Sequence, residues 1–213
     1  MQFDAARLAQ VSLDVARAAL EAAGPVEAVG ISNQRASTIV WDRATGEPVG
    51  PGIGWQDLRT VGACLALRSE GLRLAPNLSA TKLQWLLDTY DPGRDRDLCF
   101  GTVDTWLVWH LSEGRLHVTD ATNALVTGLR AVTAATWDAQ TLEVLKIPER
   151  MLPVVVDSSG VLGEGDRAPG RAADRRAARR PAGVARRAGM RAPRRREDHV
   201  RHGWDARPGA RAG

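Results

Sequence analysis

Two short polar clusters, each placed after an apolar run, contain the residues of this sequence best suited to binding an oxygen-rich ligand. The first is Asn33-Gln34-Arg35, which follows Val26–Ser32. Its arginine offers a planar set of donors that fits hydroxyl, carboxylate or phosphate oxygens. The second is Trp55-Gln56-Asp57, where an indole ring could pack against the carbon face of a polyol. Neither cluster is specific alone, because loop arginines are usually solvated and tryptophans usually belong to the core.

Hydrophobic spacing predicts helices that alternate with strands around these clusters. A first helix is predicted from about Phe3 to the stop at Gly24-Pro25, and further helices over Thr60–Ser69, Ala80–Tyr90 and Asp138–Leu145. Strands are predicted at Val26–Ser32 and Ser37–Asp42, and Leu98–Leu111 has the pattern of a strand end that turns into a helix. Because the two kinds of element alternate, the sequence predicts an α/β domain.

Composition divides the chain into two parts. Residues 1–166 contain 14 basic and 21 acidic residues, whereas residues 167–213 contain 15 arginines and 4 acidic residues. The second part has no Leu, Ile or Phe, so it cannot bury enough apolar surface to offset the entropy of ordering. We therefore predict one domain over residues 1–165 and a disordered tail rich in Arg, Ala and Gly over residues 166–213.

Several classes of protein are not favoured by the sequence. Cys64 and Cys99 lack CxxC spacing, which favours two buried thiols in a reduced, cytoplasmic protein. His110 and His117 have no neighbouring set of ligands, so no metal site is predicted. The first twenty residues are amphipathic and no run of eighteen apolar residues occurs, so neither a signal peptide nor a membrane span is expected.

Six segments, taken together, resemble a known family. In order they are GISNQRASTIVWD, GIGWQDLRT, SATKLQWLLD, FGTVDTWLVW, HVTDATNA and IPERMLPVVVDSSGVLG. From about Ala6 to Gly163 the chain resembles the amino-terminal domain of FGGY carbohydrate kinases of the glycerol kinase-like type. The resemblance implies an actin-like, ribonuclease-H-like ATPase domain. It also implies ATP and Mg²⁺ as cofactors, and transfer of the γ-phosphoryl group to a sugar or polyol hydroxyl.

The resemblance assigns four substrate-binding positions. Arg35 matches the arginine of the family's Asn-Gln-Arg-Glu motif, which donates to substrate hydroxyls, and Trp55 matches the tryptophan that lines the pocket. Ala36 stands where glycerol kinases have the glutamate that accepts from those hydroxyls, and Asn77 stands where they have a substrate-contacting tyrosine. Because buried hydroxyls would lose a partner at Ala36, another polyol or sugar remains an alternative to glycerol.

Other conspicuous residues are expected to have structural roles. We expect Thr102, Asp104 and Thr105 to satisfy free backbone N–H groups at a helix start. Asp57 and Asp120 are expected to cap helices or form ion pairs. Three tryptophans at helical positions are expected in the core: Trp85, Trp106 and Trp109.

Two family segments are not found in the sequence: the DxGTT hairpin that binds ATP phosphates and the GDQQA motif with the general-base aspartate. No catalytic residue is therefore assigned, and we expect a partial domain that is inactive alone, or else a non-catalytic polyol-binding remnant. The strand Val26–Ser32 would then lack neighbours, and its apolar face would be exposed.

The tail has a reading in another frame. If the DNA that encodes Arg179–Ala206 is read in a frame shifted by one base, its codons permit the sequence GDQQASLAGQGCVRPGDAKITFGTGGML. This sequence contains GDQQA and TFGTG, which are the next motifs of the family. We therefore expect a frame change near Gly165–Arg171. The rival interpretation is nucleic-acid binding by clustered arginines, but Trp204 is the tail's only aromatic residue. We predict no specific nucleic-acid partner and expect a small-molecule polyol or sugar instead.

Overall fold

The structure, a computed structural model, describes residues 1–130 and 136–162. The helices are α1 (Ala5–Ala23), α2 (Val61–Leu67), α3 (Ala80–Tyr90), α4 (Val103–Leu111), α5 (Ala121–Leu125) and α6 (Ala139–Leu145). The strands are β1 (Gln2–Phe3), β2 (Ile39–Asp42), β3 (Gly52–Ile53), β4 (Leu98–Gly101), β5 (Val118–Asp120) and β6 (Val154–Val156). Short 3₁₀ turns at Arg68–Glu70 and Glu149–Met151 follow α2 and α6.

Strands β2 and β4 form the central antiparallel pair, with Ile39 opposite Gly101 and Asp42 opposite Leu98. Strand β3 pairs with β1 in antiparallel orientation. A single bridge between Thr38 and Ile53 connects β3 to the start of β2. Strands β5 and β6 form a separate parallel pair.

Alternation along β2 and β4 divides the core into two clusters, because successive side chains of a strand point to opposite faces. Val40, Leu98 and Phe100 pack against α2, α3 and α6. Ile39, Trp41 and Cys99 pack against α1 and α4. Both faces of the pair are therefore covered by helices, and the predicted α/β domain is confirmed.

Helix α1 is fixed to α4 by a hydrogen bond from Trp106. Asp4 caps the helix start by accepting from the Arg7 backbone N–H, and Gly24 ends the helix at φ 85°. The indole Nε1 of Trp106 donates to the Ala5 carbonyl at 2.8 Å, and its ring lies 5.0 Å from that of Trp41. Trp106 and Trp109 are buried as predicted, whereas Trp85 is half-buried at the edge of the core.

The predicted strand at Val26–Ser32 is wrong. These residues form no strand, and the side chains of Val26 and Val29 are 53% and 67% exposed. The sequence pattern identified an apolar run of strand length, but a strand also needs an adjacent strand with which its backbone can form hydrogen bonds. No described strand pairs with this run. The expected exposure of its apolar residues is found.

The other helices and strands predicted from the sequence are present within a few residues of their expected bounds. The elements not predicted are α5 and the strands β1, β3, β5 and β6, which are too short to give a periodic signal. Cys64 and Cys99 are buried free thiols, as expected. No helix among the described residues is long and apolar enough to cross a membrane. The predicted tail and its alternative reading frame lie outside the described residues and stay predictions.

Candidate functional site

Ala36 lies at the turn that leads into β2. Its φ of 60° places it in the left-handed region, which is unfavourable for residues other than glycine. Its side chain is buried, and its carbonyl oxygen accepts from Ser79 Oγ at 3.2 Å. The preceding residue, Arg35, is exposed and makes no hydrogen bond with the described residues. Arg35 therefore lies exposed on a turn that is stabilised by the hydrogen bond from Ser79 to Ala36.

Trp55 and Asn77 lie on two different loops. Trp55 follows β3 and its side chain is 42% exposed, and Asn77 is exposed in the turn before α3. Both backbone carbonyls accept from the same ammonium group, that of Lys82. The Nζ atom of Lys82 lies 3.1 Å from the Trp55 oxygen and 3.3 Å from the Asn77 oxygen. One side chain of α3 thus connects the two loops.

The beginning of α3 therefore brings three of the four predicted positions together. Ser79 contacts Ala36, while Lys82 contacts Trp55 and Asn77. Arg35 joins this group only through its peptide bond to Ala36. The side chains of Arg35, Trp55 and Asn77 are all exposed, and an indole ring, an amide and a guanidinium group are chemically suited to the carbon face and hydroxyls of a polyol.

Lys82 and Ser79 contact three of the candidate site residues, and the sequence interpretation did not single them out. Lys82 is fully buried, and burial lowers its pKa to about 8. The sequence already indicated that Lys82 is buried, because it lies one helical turn before Leu86, on the face of α3 that also buries Leu83. A charged residue on the apolar face of a helix needs polar partners.

Asp57 forms the ion pair that the sequence predicted for it. Arg59 donates to both carboxylate oxygens of Asp57, at 2.8 and 2.9 Å, and the amino group of Met1 also donates. These contacts, led by that of Arg59, hold the pKa of Asp57 well below its usual range. The Arg59 guanidinium also lies 4.4 Å from the centre of the Trp85 ring. Asp57 thus has a fixed charge next to the Trp55 loop.

The Asn33-Gln34-Arg35 cluster makes a second polar contact, with Asn123 on α5. Asn33 Nδ2 donates to Asn123 Oδ1 at 3.3 Å. Asp120 accepts from the backbone N–H of Asn123 at 2.7 Å and caps α5, as the sequence predicted. Burial opposes ionisation of Asp120, yet hydrogen bonds from Ser158, Asn123 and Thr122 together lower its pKa to about 2.

The capping role predicted for Thr102, Asp104 and Thr105 is wrong in its detail. Thr102 is the N-cap of α4, but its side chain makes no capping hydrogen bond. Its hydroxyl donates to the buried Asp104 carboxylate, which also accepts from Thr119 Oγ1 at 2.8 Å. The Thr105 hydroxyl is buried without a partner among the described residues. Burial raises the pKa of Asp104 despite its two hydroxyl donors. The hydrogen bond from Thr119, which lies on β5, connects the Asp104 carboxylate on α4 to that strand.

The family resemblance implies Mg²⁺ as a cofactor. Within residues 1–130 and 136–162, no group of three or more His, Cys, Asp or Glu side chains could hold a metal ion. Mg²⁺ binding in kinase sites uses carboxylates together with substrate phosphates. The described residues therefore provide no Mg²⁺ site made of protein side chains alone.

The fold defines a class of protein. The structure is similar to that of Plasmodium falciparum glycerol kinase with ADP, with a TM-score of 0.68 and 23% identity over 72% of this chain and 34% of that one. It is also similar to ligand-bound xylulose kinase from Lactobacillus acidophilus, with a TM-score of 0.62 and 20% identity over 72% of this chain and 33% of the other. Sequence identities this low show the fold alone, which is that of carbohydrate kinases.

Sequence comparison gives the family. Residues 2–168 match the N-terminal domain of the FGGY family of carbohydrate kinases, and the chain belongs to this family. It is 48% identical over 181 residues to glycerol kinase of Aromatoleum aromaticum, covering 76% of this chain and 36% of the relative. It is 48% identical over 167 residues to glycerol kinase of Thermus brockianus, covering 70% of this chain and 34% of the relative. The chain spans about a third of the length of these curated relatives.

Proposed function

We propose that this chain is the polyol-binding part of a cytoplasmic, glycerol kinase-like carbohydrate kinase. The kinase would transfer the γ-phosphoryl group of ATP, with Mg²⁺, to a hydroxyl of its substrate. The observation that carries the proposal is the convergence of Ala36, Trp55 and Asn77 on the first turn of α3. Family membership and the names of the relatives support the reaction class.

Each position has a distinct role in this proposal. Arg35 donates hydrogen bonds to two neighbouring hydroxyls, because its guanidinium group presents several donors in one plane. Trp55 packs its exposed ring against the carbon face of the substrate. Asn77 offers an amide that both donates and accepts. Ala36 supplies no acceptor, so affinity for glycerol is expected to be lower than in a kinase with glutamate there.

The isolated chain is proposed to bind its substrate without turnover. Phosphoryl transfer needs a base near the hydroxyl and a metal that bridges the phosphates. The family's general-base aspartate belongs to the GDQQA motif, which is not found in this sequence, and the described residues contain no group of three or more His, Cys, Asp or Glu side chains that could hold a metal ion by themselves. A non-catalytic polyol-binding module is therefore the function proposed for this chain when no other polypeptide is present.

Two assays on the purified 213-residue chain test the proposal. Saturation-transfer NMR with glycerol, xylulose and gluconate should show binding of at least one ligand, and Arg35→Ala should abolish it. The matched control is Arg7→Ala, which removes another exposed arginine, on α1. A coupled assay with ATP and Mg²⁺ should detect no ADP formation above the ligand-free rate. Ligand-dependent ADP formation would refute the proposed lack of turnover, and equal binding by the Arg35→Ala variant would refute the site.

A further inference from the structure

The role of Lys82 follows from an unusual combination of burial and contacts. Its side chain is fully buried at the first turn of α3, yet its hydrogen-bond acceptors are two backbone carbonyls and no carboxylate. Asp57 is the carboxylate that acts on it through space, and Arg59 already occupies both oxygens of that group. Burial of an ammonium group without a carboxylate partner is energetically costly.

The two acceptors belong to segments far apart in the sequence. Trp55 lies 27 residues before Lys82, and Asn77 lies five residues before it. Among the described residues, no backbone hydrogen bond joins residues 54–59 to residues 75–79. The ammonium group is therefore the polar connection that fixes one loop against the other. A methionine could fill a similar volume, but it would leave both carbonyls without a donor.

We propose that Lys82 is a positioning residue that sets the placement of Trp55 relative to Asn77, and thereby the shape of the polyol site. It acts through the backbone of both residues, and its own side chain does not reach the substrate. The expected effect of Lys82 on substrate affinity rests on the proposed polyol-binding function. The positioning of the two loops by Lys82 is independent of that function.

The geometry of the surrounding groups explains why a lysine performs this role. Burial disfavours the charged form of Lys82 most strongly, whereas Asp57 favours it. The outcome is a pKa lowered to about 8, so the group is mainly an ammonium at pH 7. A charged donor makes a stronger hydrogen bond to a carbonyl than a neutral donor does.

The first test compares Lys82→Met with the wild-type chain by NMR. The variant should move or broaden the signals of the Trp55 indole and of the Trp55 and Asn77 carbonyl carbons. It should also weaken glycerol binding by about tenfold or more, because small misplacements of contact groups have large effects. Thr89→Ala is the control, since Thr89 is exposed on the same helix and bonds only to the Trp85 carbonyl. Unchanged loop signals in a folded Lys82→Met chain would overturn the proposal.

A second test uses the unmodified chain in case Lys82→Met does not fold. Lys82 and Lys146 are the only lysines of the sequence, so ¹⁵N-lysine labelling gives two Nζ signals, and Lys146→Arg assigns them. The carbonyl signals of Trp55 and Asn77 should titrate with the same midpoint as Lys82 Nζ. Carbonyl signals that stay constant through that midpoint would overturn the proposal. If they follow it while no polyol binds, the positioning role stands and the proposed function fails.

Discussion

The hydroxyl of Ser79 donates a hydrogen bond of 3.2 Å to the backbone carbonyl of Ala36, 43 residues earlier in the chain. Both residues are buried, and Ala36 has the unfavourable φ of 60°. A strained residue keeps its conformation only where surrounding contacts enforce it. The Ser79 hydroxyl supplies such a contact, and this hydrogen bond stabilises the turn on which Arg35 is exposed.

Replacing Ser79 with alanine should therefore loosen this turn. We expect Ser79→Ala to lower the free energy of unfolding by about 1–2 kcal/mol, because a buried carbonyl loses a donor. Polyol affinity should fall as well, since Arg35 is then less well placed. Denaturant unfolding and a glycerol titration measure the two effects. Ser69→Ala is the control, because Ser69 is exposed and bonds only to the carbonyl of Ala66; equal losses in both variants would contradict the account.

A second prediction concerns acid sensitivity and His117. Its Nε2 donates to the Phe100 carbonyl at 2.8 Å, and burial lowers its pKa to about 4. The unfolded chain, with an ordinary pKa near 6.5, binds the proton first as pH falls, so folding stability decreases between pH 6.5 and about 4. We expect the stability lost from pH 7 to 4.5 to be smaller by about 2 kcal/mol in His117→Gln.

Urea unfolding at both pH values measures this difference. Glutamine keeps a donor for the Phe100 carbonyl but does not titrate. His110, whose pKa burial also lowers, is left in place so that it contributes equally to both chains. An identical loss of stability in wild type and His117→Gln would contradict the assignment.

The exposed apolar segment at residues 26–31 gives a third prediction. Its backbone makes no hydrogen bonds in the described structure, and Val26 and Val29 are exposed. An unpaired segment of this kind is a template for intermolecular strand pairing. The variant with both valines changed to lysine should therefore self-associate less, with an unchanged thermal midpoint.

Light scattering during size-exclusion chromatography measures the change. The matched control changes Val11 and Val15 to lysine; these are also exposed, but they lie on α1, where backbone groups are already paired. Self-association that falls equally in both variants would show that general charge is responsible and would contradict strand pairing.

How much of the molecule could be predicted differs from segment to segment. Helix α3 and the strand at Ile39–Asp42 were predictable because their apolar residues recur with one clear period. The run at Val26–Ser32 has a similar local pattern but no partner edge, and sequence spacing does not contain that information. The left-handed turn at Ala36 was equally hidden, since it depends on Ser79, a residue distant in sequence.

The arrangement of the candidate site residues was predictable only in part for a related reason. The motifs placed Arg35, Ala36, Trp55 and Asn77 in order along the chain, but they did not say what holds these residues together. The structure supplies Ser79 and Lys82 for that purpose. Lys82 has a recognisable signal, a charge on a buried helical face, although its two carbonyl partners come from separate loops.

The fourth prediction concerns residues outside the described part of the chain. If the frame interpretation is right, coding DNA for residues 179–206 will encode GDQQA and TFGTG when read one base later. Direct sequencing of that DNA tests this reading base by base. Codons at Ala182 or His199 whose bases do not allow Gln and Thr in the shifted frame would contradict it.

A single NMR titration shows whether this chain has a polyol site at Trp55. The Trp55 indole signal, assigned with Trp55→Phe, is followed as glycerol, xylulose or gluconate is added to the 213-residue chain. We expect a saturable shift of this signal with at least one ligand, and no such shift in Arg35→Ala. An indole signal that stays constant at saturating concentrations of all three ligands would contradict the claim.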